Sequence, residues 1–250
     1  NMKKIIAANW KMQLKYQDSL ELAKKIAKNL KKPSTEVIVF PEYLSLPAIS
    51  QIFKKTKIKL GAQDGAANFL GAYTGEVTAL NIKAAGASYV LIGHSERRQL
   101  LGETDELINN KIKSALAAGL TTIVCVGENL AQKEKGETKK VLLKQLKGAL
   151  ASLNSRTFVR PLKLIVAYEP IWAIGTGEAI IPAEANLIHT FLKKEIRKLI
   201  KQEVLIIYGG SVNLDNAEAF LKFPHIAGLL IGGASLKADV LQKIAQLKIK

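Results

Sequence analysis

Three side chains, far apart in chain order, are of types that together can move protons. Glu169 ends the apolar run LIVAYEP (164–170), His94 ends YVLIGH (89–94), and Lys11 stands just after IIAANW (5–10). A carboxylate can take a proton from carbon beside a carbonyl, an imidazole can donate to the carbonyl oxygen, and an ammonium can steady the anion that forms. A lysine at a strand end can instead form a Schiff base, as in aldolases. Lys11 lies beside polar Asn9 rather than inside an apolar run, the setting a Schiff-base lysine needs.

Two glycine pairs, GGSV (209–212) and GGAS (232–235), follow the runs VLIIYGG and GLLIGG. Glycine lets backbone N–H groups come close to a ligand, and a helix start favours an anion. One pair alone would equally well be a tight turn; two in succession favour a phosphate cradle. Other phosphate motifs fail. There is no GxxxxGK followed by Ser or Thr, and a dinucleotide fingerprint through Gly175 and Gly177 would need a third glycine where Ile180 stands. His94, His189 and His225 are scattered, His189 within a helical pattern, so no metal site is expected. The lone cysteine, Cys125, forbids an intrachain disulfide and reads as a buried thiol. Proton chemistry on a phosphate ester, with no metal and no other cofactor, is what these residues suggest.

Such groups need elements to hold them at one place. Eight short apolar runs recur along the chain: 5–10, 37–42, 58–64, 89–94, 121–128, 164–170, 204–210 and 228–233. Near-continuous apolarity suits strands buried on both faces, hence a parallel sheet covered by helices. Amphipathic stretches lie between them. ELAKKIAKNLKK (21–32) turns Leu22, Ala23, Ile26, Ala27 and Leu30 inward. A helix is expected from Thr104, its N-cap, to Gly119, and another begins at Pro182 with Ile188, Leu192, Ile196 and Leu199 on its inner face. Eight such units in 250 residues fit a closed (β/α)₈ barrel, with a doubly wound sheet as competitor. No linker-like stretch divides the chain, and Asn1 ahead of Met2 reads as a cloning remnant, so one domain over 2–250 is expected. In a barrel the chemistry gathers at the carboxyl ends of the strands. Those positions hold Asn9, Lys11, Gln63, Asp64, His94, Glu128, Glu169, Gly209, Gly210, Ser211, Gly232 and Gly233; the amino ends hold nothing comparable.

Bulk properties agree with an enzyme in water. Apolar residues make up 48% and charged ones 23%, and no apolar run approaches the roughly 18 residues of a spanning helix. A cytoplasmic protein with no membrane partner is expected. Net charge is +16, from 37 basic against 21 acidic residues. The positive charge is spread along the chain with no aromatic-interleaved basic motif, so lysine-studded helix faces explain it better than nucleic-acid binding, and no nucleic-acid partner is expected. A general positive field can also attract a small anionic substrate.

AANWKM (7–12), GAYTGEVT (71–78), IGHSERR (92–98), CVGE (125–128), AYEPIWAIGTG (167–177), YGGSVN (208–213) and IGGASL (231–236) together resemble the triosephosphate isomerase family across nearly the whole chain. The resemblance implies a cofactor-free aldose–ketose isomerase of glycolysis and gluconeogenesis acting on dihydroxyacetone phosphate and glyceraldehyde 3-phosphate. By the family pattern Glu169 is the base, His94 a neutral electrophile at the start of a helix (95–98), and Glu96 supports the network behind Lys11. Lys11 and Asn9 contact the substrate and its enediolate. Gly175, Ser211, Gly232 and Gly233 hold the phosphate. The resemblance makes Pro170-Ile171-Trp172 a stiff hinge, Ala173–Thr176 the tip of a lid and the following segment a second hinge. It further implies a homodimer through loop 64–78, with Thr74 reaching the partner's site near Asn9 and Lys11. Phe69, Leu70, Ala72 and Tyr73 would otherwise be an exposed apolar patch. The chain departs from the pattern at Glu178, usually lysine; at Ile181, usually a hydroxyl residue able to cap a helix; and at Asp64, usually asparagine and here ionisable beside the interface loop.

Overall fold

A computed structural model describes residues 3–30, 33–154 and 158–248. The reading of Asn1 and the last two lysines of the 21–32 stretch fall outside the described residues. Eight strands, β1 (Ile5–Asn9), β2 (Glu36–Phe40), β3 (Lys59–Ala62), β4 (Tyr89–Ile92), β5 (Thr121–Val126), β6 (Leu164–Tyr168), β7 (Leu205–Tyr208) and β8 (Gly228–Ile231), pair in chain order. All pairings are parallel, and β8 returns to β1 with Ile5 opposite Gly228, so the sheet is a closed barrel. Each apolar run contains its strand, apart from Glu36 at the start of β2, and overshoots it at the carboxyl end, where the polar and glycine positions lie. The doubly wound alternative is excluded by this closure.

Closure explains the unbroken apolarity. Successive side chains of a strand point to opposite faces. Ile5, Ala7, Ile38, Phe40, Leu91, Ile123, Cys125, Ile165, Ala167, Ile207 and Leu230 pack together inside the ring. Their neighbours Ile6, Ala8, Val37, Val39, Val166 and Ile206 pack outward beneath the helices. The same alternation places chemistry. One step of two past Ala7 comes Asn9, and one step past Ala167 comes Glu169. Both therefore follow the inward-facing parity at the carboxyl mouth.

The covering helices are α1 (Tyr16–Asn29), α2 (Leu46–Phe53), α3 (Ala79–Ala84), α4 (Ser95–Leu100), α5 (Asp105–Ala117), α6 (Leu130–Glu134), α7 (Thr138–Ala149), α8 (Pro182–Ile200), α9 (Leu214–Leu221) and α10 (Ala238–Ala245). α5 starts as its sequence predicts: the Thr104 hydroxyl accepts from the Leu107 N–H. α8 has Pro182 in its first turn, and Ile181 before it supplies no side-chain cap. Leu22, Ala23, Ile26 and Leu30 bury the inner face of α1, with Ala27 half-buried at its edge.

Candidate active site

Lys11 has a left-handed backbone, φ +55°, uncommon for a residue with a long side chain. Two side chains hold it there. Asn9 Oδ1 accepts from the Lys11 N–H at 3.0 Å, and the Gln63 amide donates to the Lys11 carbonyl at 2.7 Å and to that of Phe40 at 3.0 Å. The Lys11 ammonium forms an ion pair with Glu96 Oε1 at 2.6 Å. It thus faces a carboxylate, unlike a Schiff-base lysine in apolar surroundings.

His94 caps α4 with its own ring: Nδ1 accepts the Glu96 N–H at 3.2 Å. An accepting Nδ1 carries no proton, so the neutral ring presents Nε2–H. That Nε2 lies 3.2 Å from Oε1 of Glu169, whose other oxygen accepts the Ser95 N–H at 3.1 Å. Glu169 is 1% exposed, ringed by close backbone. A Cβ on Gly127 would collide with its carbonyl, and one on Gly209 would come 2.9 Å from its Cγ. A Cβ on Gly210 would collide with the Tyr208 hydroxyl. The first glycine pair therefore makes room for side chains, a use that the linear pattern did not separate from phosphate binding. The second pair differs. Nothing crowds Gly233, Gly232 sees only the Lys11 stem at 3.5 Å, and neither N–H donates to a backbone carbonyl among the described residues.

Asn9, Lys11, His94, Glu169, Gly175, Ser211, Gly232 and Gly233 line one cavity of about 370 Å³. Of the site residues expected from the sequence, Glu96 stands behind Lys11, and Thr74 lies on the exposed loop after β3, off the cavity. Asp64 is buried rather than facing the loop surface; Lys111 at 2.7 Å and Arg97 at 2.9 Å hold its carboxylate.

The segment behind Glu169 begins with a 3₁₀ turn, Ile171–Ala173. Within it Ala173 is buried, its carbonyl accepting the Ser211 hydroxyl at 2.5 Å, and the exposed residues are Gly175 to Glu178. Glu128 anchors this turn. It is buried and accepts from Trp172 Nε1 at 3.0 Å and from the Tyr168 hydroxyl at 3.1 Å. Burial raises its pKa, opposed by those two donors. Lys133 sits over the Trp172 ring at 3.3 Å from its centroid. Gln63 and Glu128 were both visible as polar strand-end residues. Their supporting roles depend on partners that no linear spacing reveals.

A closed parallel barrel with these groups around a cavity at its carboxyl mouth defines a (β/α)₈-barrel enzyme. The family model described as triosephosphate isomerase matches residues 4–248. The triosephosphate isomerase of Thermoanaerobacter pseudethanolicus is 43% identical over 244 residues, covering 96% of this chain and 97% of that protein. That of Leptospira biflexa is 43% identical over 244 residues, with 95% and 97% covered. A crystal structure of triosephosphate isomerase from Bartonella henselae superposes with a TM-score of 0.85 at 32% identity, covering 97% of this chain and 98% of that one. The chain belongs to the triosephosphate isomerase family.

Proposed function

We propose that this chain, one barrel domain over 2–250, interconverts dihydroxyacetone phosphate and D-glyceraldehyde 3-phosphate through an enediolate. Glu169 takes the proton from one carbon and returns it to the next. His94, donating from Nε2, polarises the carbonyl oxygen and then exchanges its proton with the neighbouring oxygen. The Lys11 ammonium offsets the negative charge that develops. The observation that carries this reading is the 3.2 Å approach of Glu169 to His94 Nε2 on the same cavity as Lys11 and the second glycine pair. A neutral electrophile and a closing lid are the established pattern of this family. Here Glu169 is tied to the Ser95 N–H, so its carboxylate must leave that donor to reach substrate. The lid around 170–180, its tip at 173–176, closes as it does so and keeps water from an enediolate that would otherwise lose its phosphate. Gly175, Ser211, Gly232 and Gly233 receive that phosphate; Asn9 contacts the substrate, and Glu96 positions Lys11.

The active form we propose is a homodimer through loop 64–78, with Thr74 entering the partner's site, in the cytoplasm. Exposed apolar side chains follow four neighbouring strands at the same mouth: Met12 (94% exposed) after β1, Leu44 after β2, Phe69, Leu70 and Tyr73 after β3, and Leu100 and Leu101 after β4. A patch drawn from four adjacent loops suits a protein partner. Among the described residues no helix is long and apolar enough to cross a membrane.

A coupled assay tests the chemistry, following dihydroxyacetone phosphate formed from glyceraldehyde 3-phosphate by its reduction with NADH. Glu169→Gln is expected to lose about 10³-fold or more in turnover. A variant that turns over like the parent would remove the carboxylate from the mechanism.

A further inference from the structure

Two cavities lie side by side at the amino end of the barrel, opposite the active-site mouth. One, of about 590 Å³, is bordered by Lys3, Lys4, Lys193, Lys222 and Lys248 and, among the described residues, by no Asp or Glu. The other, of about 810 Å³, shares Lys193 and His225 with the first and adds Lys194, Arg197, Lys198 and Lys201 against, among the described residues, a single carboxylate, Glu203. The linear sequence spreads its positive charge evenly. The fold draws cations from the start of β1, the second half of α8, the end of α9 and the carboxyl-terminal residues into one concave face.

Carboxylates neutralise only part of it. Lys222 pairs with Glu218 at 2.8 Å, Lys198 with Glu195 at 2.6 Å, and Arg197 with Glu203 at 3.4 Å. Lys3, Lys4, Lys193, Lys194, Lys201 and Lys248 form no ion pair among the described residues. Lys4 is the least usual of these. Its half-buried ammonium donates to the carbonyls of Ile226 at 2.6 Å and Phe223 at 3.2 Å, so its charge is fixed in the wall with no counter-ion. Cations gathered within about a Debye length of 8 Å repel one another, and a bound polyanion relieves that repulsion.

We propose that this face binds a linear chain of phosphates, a short chain filling the first cavity and a longer one continuing along α8. Three observations select that ligand chemistry. Among the described residues no Phe, Tyr or Trp borders either cavity, and the single His225 ring is the one surface on which a nucleic-acid base could stack, too little for a platform that holds successive bases. The Gln202 amide, the group best suited to read a base edge, is spent on the backbone N–H and carbonyl of Leu162. What remains is charge on concave walls, within the roughly 300–1,000 Å³ typical of small-ligand pockets.

Calorimetry on the full chain at low and at physiological salt tests this, with pyrophosphate, tripolyphosphate, a long inorganic polyphosphate, ATP and a single-stranded RNA of matched phosphate count as probes. Glyceraldehyde 3-phosphate at saturation keeps the active site occupied. Affinity should rise with phosphate number and fall with salt, and ATP should bind no more tightly than tripolyphosphate. The doubly reversed Lys193→Glu, Lys222→Glu chain should lose about tenfold or more in affinity while isomerase activity stays at the parent level. Equal activity shows that the variant is folded, so a loss of binding is local. The proposal is overturned by no binding at low salt, by binding that the triose phosphate displaces, or by affinity unchanged in the charge-reversed variant. It is equally overturned if RNA binds more tightly than polyphosphate, which would make the face a nucleic-acid surface, or if ATP exceeds tripolyphosphate, which would place a base in the pocket.

Discussion

A methyl group on Gly209 would come 2.9 Å from the Glu169 Cγ and 3.5 Å from its Oε1, so the position of the base depends on a residue with no chemistry of its own. Gly209→Ala is therefore expected to lower turnover by about 10²-fold while KM moves less, because the carboxylate is displaced from the reacting carbon and the phosphate cradle is not. Steady-state kinetics check this; a variant whose KM rises with turnover intact would return Gly209 to the phosphate. Lys11, His94 and Glu169 were legible in the sequence because each is a reactive type at a strand end. Gln63 and Glu128 stood at strand ends as well. Neither type nor spacing showed that one pins the Lys11 carbonyl and the other the Trp172 indole. Hydrogen-bond partners 40 or 50 positions away are a property of the fold.

At the scale of elements, strands and helix starts were readable from apolar periodicity and end residues: Thr104 caps α5 and Pro182 opens α8. The burial of Ala173, at the start of the 173–176 stretch, depends on the Ser211 hydroxyl from another loop, a contact that no linear spacing reveals. The start of α8 supplies a prediction. Ile181 is 67% exposed, with φ −63° and ψ 131°, an extended cap geometry with no side-chain acceptor. Ile181→Asp should stabilise the chain by about 1 kcal/mol, measured by urea unfolding. No gain would mean that the helix start is already satisfied otherwise. Farther along α8, His189 is buried, its Nδ1 3.1 Å from the His225 carbonyl and its ring edge-on to Tyr168. Burial lowers its pKa to about 4 from 6.5. A base with a depressed folded pKa contributes stability that is full above pH 6.5 and lost as pH falls through 4. That contribution is worth about 3 kcal/mol at 1.36 kcal/mol per pH unit. Unfolding free energy at pH 7 and pH 4 should fall by about that much more in the parent than in His189→Gln. Equal losses in the two proteins would show that the ring is not the titrating group.

For the whole molecule, the closed barrel was legible from eight apolar runs alternating with amphipathic stretches, and the gathering of positive charge at its amino end was not, since charge density on a surface depends on which distant segments meet there. The apolar loops at the carboxyl mouth predict a sedimenting mass twice the 27.2 kDa of one chain, and a single-chain mass for Leu70→Asp with Tyr73→Asp. A parent that sediments as one chain would contradict the interface. Everything proposed for catalysis depends on a base, an electrophile and a cation acting together on one substrate. Groups that act as a unit lose activity non-additively when removed together. The most direct test is kcat/KM for Lys11→Met, His94→Gln and Glu169→Gln, singly and in pairs. Each double variant should be scarcely slower than its slower single parent. Losses that multiply in the doubles would mean that the three side chains work independently and do not form one site.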